Sequence, residues 1–388
     1  MNNFDVLIVG AGPAGSFAAE LLVKNGICVA LFDGRPEGEP KACGGGVTAK
    51  ALKAWPHLLN AVGRTVSELD MYSPAGKRLH LQLDEPFAIY SRLAFDNYLR
   101  DRARDEGAEV FHEKVSARKI KRSEQGWTLV SEAGNEYAGR VLVGADGANS
   151  GIAKKLAGPL PPSEMEVAFG YRAPLPGDAK ARTVVAFLPK WVGYAWAFPR
   201  PDHISFGIAT TQDAFEHRPL DDLLWKFMIA YYTPPTENKM TFWSQVEREN
   251  TRSIRNHLEQ TAERYAARIP GITDATWATR KVCGPNWALL GDAAGFADPV
   301  TGEGIYYALR SAELAAKAVA KILRGDDRNS VLREFGGAHA QMYRGRLWIN
   351  RLAREAVLRP QLGSLFVHTA RIRPEIIKLL TGKIVEKL

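Results

Sequence analysis

The sequence predicts an α/β chain: a Rossmann-like dinucleotide-binding domain, an antiparallel β-sheet domain inserted into it, and a helical C-terminal segment. Three observations predict this. A buried strand runs into a glycine-rich turn and a helix at Asp5–Gly15 (DVLIVGAGPAG). Two later apolar strands end in Gly-Ala-Asp-Gly (144–147) and Gly-Asp (291–292) turns. Between them, residues 161–250 exchange glycine turns for prolines, aromatics and alternating strands.

At the N-terminus, Val6, Leu7, Ile8 and Val9 form a short continuous apolar run, as a strand buried on both faces of a parallel sheet requires. Gly10, Gly12 and Gly15 follow in G-x-G-x-x-G spacing, and residues 16–25 read as a helix. The glycines permit a tight turn and close approach of backbone to a pyrophosphate, which the helix N-terminus attracts. A second strand, Val29–Phe32, ends in Asp33, eighteen residues after Gly15. An acid at that distance suits a bidentate hydrogen bond to an adenosine ribose.

At 388 residues, 46% hydrophobic and 24% charged, the chain can bury a sizeable core across two or three domains. Its three cysteines are too few for a four-Cys cluster, and their odd number argues against a disulfide framework. They fit a reducing cytoplasm, and no metal site is expected. The first strand begins within a few residues of Met1, leaving no room for a secretory signal. No apolar run approaches the roughly 18 residues of a membrane span.

The net charge of +8 is uneven. From Gln341 to Leu388, Arg344, Arg346, Arg351, Arg354, Arg359, Arg371, Arg373, Lys378, Lys383 and Lys387 are opposed only by Glu355, Glu375 and Glu386, which gives this segment +7. Such a run is either a solvated helical face or an attraction for anionic lipid or a phosphate-bearing substrate, at about 1 kcal/mol per basic residue near such a surface. No recognition motif accompanies the charge, which argues against nucleic acid.

After Asp33 a loop ends in KACGGGVT (41–48). Its three consecutive glycines supply backbone freedom that an ordered loop needs where something lies against it. Cys43 is either a thiol beside a bound ring, able to donate a proton or steer a substrate, or a small buried hydrophobe. Cys28 and Cys283 read as core. Residues 69–83 read as a hairpin turning at Pro74–Gly76. Arg92 precedes a helix (97–107) and either pairs with the pyrophosphate or makes a surface salt bridge. Residues 115–120 and 127–131 suggest a small meander. The Gly-Ala-Asp-Gly turn lacks G-x-G-x-x-G order and is not a separate nicotinamide-nucleotide domain.

In the middle of the chain, residues 183–188, 193–198 and 203–210 read as adjacent antiparallel strands. Tyr194, Trp196 and Phe198 alternate and therefore share one face. That face is either sheet core or the wall of a large apolar pocket, which Trp191 and Phe206 would extend. Residues 221–232 read as a helix, and Tyr265 to Ile269 closes this part. The chain then returns to the first domain through a buried strand over 287–290. Gly291 and Asp292 lie at its C-terminal end, where α/β sheets bind ligands. A carboxylate at Asp292 can accept hydrogen bonds from polyol hydroxyls. DPVTGEGI (298–305) opens a long helix whose N-terminus favours an anionic ring system.

The fingerprint with Asp33, followed by the turns at 144–147 and 291–294, resembles the flavoprotein-hydroxylase superfamily, whose members bind FAD. Within it, KACGGGVT, GYAWAFP (193–199) and DPVTGEGI are similar to motifs of the geranylgeranyl reductase family, related to archaeal lipid reductases and bacteriochlorophyll reductases. The resemblance covers roughly residues 1–325. It implies a Rossmann-like FAD-binding domain of the p-hydroxybenzoate-hydroxylase-like (GR2) type, built from residues 1–65, 92–160 and 271–328. Residues 66–91 and 161–270 would form the antiparallel substrate domain, and 329–388 the basic helical C-terminal segment.

By the same resemblance, Gly10, Gly12, Ala14 and Gly15 would hold the FAD pyrophosphate, Asp33 the adenosine ribose and Arg92 the phosphate–ribityl region. Val115 would meet adenine through its backbone, and Asp146, in the second turn, would also contact the cofactor. Gly291 and Asp292 would meet the ribityl chain or pyrophosphate, with Gly302, Gly304 and Ile305 under the isoalloxazine. Cys43, Gly44 and Gly46 match the loop beside the flavin, with Cys43 the one candidate proton donor. Tyr194, Trp196 and Phe198, with Trp191, would line a prenyl tunnel. Arg200 keeps the charge where the family often has Lys.

The implied activity is reduction of isolated C=C bonds in a geranylgeranyl or prenyl group on a lipid, quinone or pigment precursor. Reduced FAD would give hydride to one carbon, and an acid or water would protonate the other. With no second nucleotide fold, electrons would come from transiently bound NAD(P)H or from a reduced electron-carrier protein. The expected partners are a prenyl-bearing substrate, that electron donor, and an anionic membrane touched by the basic C-terminal segment. The expected location is cytoplasmic, peripheral on the cytoplasmic membrane. Three rivals remain. An FAD-dependent monooxygenase of an apolar aromatic or polyketide-like substrate would share every FAD residue. A flavin halogenase would need a lysine near the flavin that the sequence does not locate. A non-catalytic flavin or prenyl-lipid binder would show no turnover.

Overall fold

The computed structural model describes residues 2–38, 41–177, 181–211, 217–233, 243, 249–272, 274–298, 302–343 and 359–372. They are organised by two eight-stranded sheets.

The first sheet runs Cys283–Gly284, Trp287–Leu289, Glu136–Gly144, Asn2–Val9, Val29–Phe32, Glu109–Phe111. A hairpin, Lys121–Arg122 with Trp127–Val130, is attached along Glu136–Gly144. From Trp287–Leu289 to Glu109–Phe111 every pairing is parallel. The C-terminal ends of these strands therefore share one edge, and the ladder continues into the loops. Gly10 N donates to Phe32 O, Ala145 N to Val9 O and Leu290 N to Gly144 O. Helix Pro13–Val23 packs against helices Arg92–Asp105 and Ile305–Arg324. The long helix buries Leu309, Ala312, Ala316, Val319 and Ala320, the three- and four-residue spacing of an apolar stripe.

The second sheet runs Glu263–Pro270, Met165–Pro174, His203–Thr211, Gly193–Pro199, Val184–Phe187, Gly63–Tyr72, Arg78–Tyr90, Gly46–Val47. Only Val184–Phe187 against Gly63–Tyr72 is parallel. Helix His217–Tyr232 covers one face, where Phe206 and Ile208 meet Leu224, Phe227 and Tyr231. The other face carries Tyr194, Trp196 and Phe198. Helix Pro360–Ile372 adds Val367 beside Leu79 and Phe187, next to Tyr194.

Several expectations need correction. Phe206 pairs with Ala197, one residue out of step with Trp196, so it projects to the helix-covered face. Trp191 packs against that same core. Neither extends the Tyr194–Phe198 face, because alternation along a strand sends neighbours to opposite sides. Residues 115–120 do not form a strand. Val115 makes a single bridge to Ser131, and Ala117–Lys119 closes into a 3-10 turn. Arg92 is the first residue of its helix rather than a residue ahead of it. Strand Gly63–Tyr72 and the short strand Gly46–Val47 both join the second sheet, so that sheet reaches back before residue 66.

The expectation for the basic C-terminal segment rests largely on Arg344, Arg346, Arg351, Arg354, Arg373, Lys378, Lys383 and Lys387, which lie outside the described residues. Residues 299–301 of DPVTGEGI do so too. Among the described residues, no helix is long and apolar enough to cross a membrane.

Candidate active site

The first turn at the sheet edge separates two kinds of glycine. Gly10 has φ +108°, and a Cβ on it would lie 2.3 Å from Ala145 O. A Cβ on Gly15 would lie 1.9 Å from Gly10 O. These two glycines let the turn and helix close against the neighbouring strand. Gly12 differs, because nothing lies within 4 Å of the position a Cβ would take. It stands at the start of helix Pro13–Val23, whose N-terminus has no side-chain cap. An open cradle under uncapped N–H groups fits a pyrophosphate. Ala14 is buried beneath the turn, 3.3 Å from the Cβ that Gly291 lacks.

Asp33, at the end of Val29–Phe32, is 5% exposed. It is paired with Arg35 at 3.3 Å and also with Arg100. A bound ribose would share this carboxylate with two guanidinium groups. Val115 lies beyond the end of the edge strand Glu109–Phe111, fixed by its bridge to Ser131. Asp146 is committed elsewhere. Its carboxylate accepts from Ser150 Oγ, from Gly151 N at 2.8 Å and from Ile152 N at 3.2 Å. Burial pushes its pKa up against those bonds. Asp146 thus anchors helix Gly151–Leu156, and any cofactor contact from this turn falls to its backbone.

Arg92 is not in the surface salt bridge that is one of its two expected roles. It is 2% exposed, and donates to both oxygens of Asp96 at 2.9 and 3.0 Å. Arg35 reaches the same carboxylate at 2.9 Å. The pair is a buried one, not a surface salt bridge and not a free cation. Burial opposes the charge on Arg92, but Asp96 and the Cys43 thiol beside it hold the guanidinium protonated.

Cys43 sits among these charges. It is half-buried, and Gly45 N donates to its Sγ at 3.3 Å. Burial raises its thiol pKa, but Arg92, the Gly45 N–H and Lys41 outweigh that and lower it overall. The small-hydrophobe reading does not describe a thiol in such a field. Arg200 holds the loop from behind, its Nη2 donating to Cys43 O at 2.6 Å and Gly44 O at 3.1 Å.

The aromatic face lies directly on the two glycine loops. A Cβ on Gly44 would meet Trp196 Nε1 at 3.3 Å and the Phe198 ring at 3.4 Å. On Gly46 it would meet Phe198 at 3.5 Å, and on Gly302 Tyr194 Oη at 3.4 Å. Ring centroids step along the strand at 5.9 Å from Tyr194 to Trp196 and 6.4 Å from Trp196 to Phe198.

On the opposite side, Asp292 pairs with Lys41 at 3.2 Å, and its Oδ1 lies 3.1 Å from the Cβ position of Gly304. Gly304 starts the helix of Ile305 without a side-chain cap, leaving its N–H groups to a ligand. Sequence reasoning missed Glu303. Its carboxyl, pushed up to about 7 by burial, accepts from Thr48 Oγ1 at 2.8 Å. Both residues lie inside quoted motifs, but only the fold brings them together. It also missed what Arg200 does, although the charge itself was visible.

Residues 3–342 match the FAD binding domain family. The chain is 30% identical over 338 residues to the chloroplastic geranylgeranyl diphosphate reductase of Oryza sativa subsp. japonica, covering 81% of this chain and 66% of that one. It is 29% identical over 336 residues to the geranylgeranyl diphosphate reductase of Synechocystis sp., covering 81% and 74%. Thus the chain spans just under two thirds of the plant relative's length. A geranylgeranyl bacteriochlorophyll reductase-like protein from Thermoplasma acidophilum shares its fold at TM-score 0.74 and 21% identity, over 98% of this chain and 99% of that one. The open cradle at Gly12 and the uncapped helix starts fit FAD. The chain belongs to the FAD binding domain family.

Proposed function

We propose that this chain reduces isolated C=C bonds of a geranylgeranyl or other prenyl group. One observation carries the reading: Tyr194, Trp196 and Phe198 form an apolar face in contact with both loops expected to border the flavin. Such a face binds a prenyl chain at about 0.8 kcal/mol per buried CH₂ and excludes water from it. Bound and reduced, FAD supplies the hydride. The chain's own residues hold the alkene and manage the proton. Cys43 is the proposed proton donor, with Arg92 and the Gly45 N–H stabilising the thiolate it becomes. Lys41 and Asp292 close the opposite side of the loop.

Electrons would come from NAD(P)H or from a reduced carrier protein, and the basic C-terminal segment would attract an anionic membrane carrying the substrate. The deciding experiment is mass spectrometry of product from the anaerobically reduced protein with geranylgeranyl diphosphate, beside an aerobic incubation. Gain of hydrogen pairs without oxygen supports the reading. Gain of oxygen only in air overturns it in favour of a monooxygenase. No change with either would favour a non-catalytic binder.

A further inference from the structure

Among the described residues, Arg200 is a buried cation with no anion. It is 3% exposed, it pairs with no carboxylate among the described residues, and its Nε has no partner. Among the described residues, its side chain donates only to the carbonyl oxygens of Cys43 and Gly44. Arg92, equally buried, has Asp96. A buried guanidinium facing only carbonyls is poorly compensated, and its planar fork suits phosphate oxygens.

Its place in the fold gives the missing anion a source. Tyr194, Trp196, Phe198 and Arg200 follow one alternation, so the arginine ends the apolar face. Six residues at about 3.3 Å each separate it from Tyr194 by roughly 20 Å. Beside it opens a cavity of about 450 Å³, lined by Gly63, Arg64, Leu175, Pro176, Arg200 and Pro201 among others, with no acidic residue among the described ones. Arg64 gives one nitrogen to Ala181 O at 2.9 Å and makes no ion pair among the described residues. Arg172, itself paired with Glu263 at 3.7 Å, adds positive charge nearby.

We propose that Arg64 and Arg200 bind the phosphate or diphosphate head of the substrate while its chain lies along Tyr194, Trp196 and Phe198, a proposal that rests on the prenyl reading for the tail. The site selects an anionic head over a neutral alcohol or quinone. A free prenyl diphosphate and a prenyl phospholipid both present that chemistry.

The test is calorimetric titration of the full-length, FAD-loaded, oxidised protein at physiological salt, with no reductant. Its ligands are inorganic pyrophosphate, geranylgeranyl diphosphate, geranylgeranylglyceryl phosphate and geranylgeraniol. Both phosphate-bearing lipids are expected to bind about tenfold or more tightly than the alcohol, with pyrophosphate competing. Arg64→Gln should remove that advantage, Arg64→Lys should keep part of it, and the exposed Arg118→Gln should keep all of it. The tighter of the two lipids identifies the source. Equal binding of alcohol and diphosphate, or an Arg64→Gln protein that binds like the parent, overturns the site. Head-dependent binding here, with no alkene reduction in the anaerobic product assay, would sink the reductase reading alone. Reduction with no dependence on the head would sink this site alone.

Discussion

Thr48 Oγ1 donates to Glu303 Oε1 at 2.8 Å, joining the loop of Cys43 to the loop of Gly302 and Gly304. The same hydroxyl accepts from Ala51 N at 3.4 Å and so caps helix Ala49–Ala54. One side chain therefore sets a helix start and the spacing between the two loops that meet the aromatic face.

Glu303 makes stability depend on pH. Its carboxyl is raised by burial from an ordinary value of 4.5 to about 7. A carboxyl raised on folding contributes stability that is fully present below its unfolded pKa and is lost as pH rises through the folded one. The loss falls between about pH 4.5 and pH 7. Glu303→Gln keeps an acceptor for Thr48 and removes the titration. Its Tm advantage over the parent protein should grow from pH 5 to pH 8 in thermal scans. A constant difference over that range would contradict the assignment.

The glycines of the first turn should separate binding from folding. Gly12→Ala puts its methyl into open space, so apo stability should stay within about 0.5 kcal/mol of the parent. The same methyl occupies the pyrophosphate cradle, and FAD affinity should fall by about tenfold or more. Gly15→Ala meets Gly10 O at 1.9 Å and should destabilise the apo protein itself. Urea denaturation and flavin titration of both variants check the contrast.

Cys43 should be the most acidic of the three thiols. Its pKa is lowered despite burial, whereas burial raises those of Cys28 and Cys283. Iodoacetamide labelling read by peptide mass spectrometry over pH 6–9 should show Cys43 modified with the lowest midpoint. A midpoint above that of the exposed Cys28 would refute the electropositive loop.

Gly207 shapes the aromatic face from the neighbouring strand. A Cβ there would lie 2.0 Å from Trp196 Cζ2. Gly207→Ala should tilt the indole and cost about 1–3 kcal/mol. Near-ultraviolet circular dichroism should change while FAD affinity stays near that of the parent. A retained aromatic signal would show that the ring has room to move.

Glycine spacing, apolar runs and the acid after the second strand were enough to read the nucleotide half, because each feature is local: a tight turn, a buried strand and a helix start are set by neighbouring residues. Alternation likewise placed Tyr194, Trp196 and Phe198 on one face. It misplaced Phe206 and Trp191, since the face a neighbouring strand presents depends on pairing register, which no single strand encodes. Strand Met165–Pro174 lies inside the sheet, yet Glu166 and Arg172 break its apolar pattern and hide it from a reading of the sequence.

What packing decided was the partner of each charge. Asp146 turns to cap the next helix, Arg92 is matched by Asp96 one helical turn away, and Arg200 faces carbonyls of a loop 157 residues earlier. Glu303 meets a threonine 255 residues before it. Motif spacing names the residues that enter a site. Only the chain's path through space decides which buried charge finds an anion and which is left for a ligand.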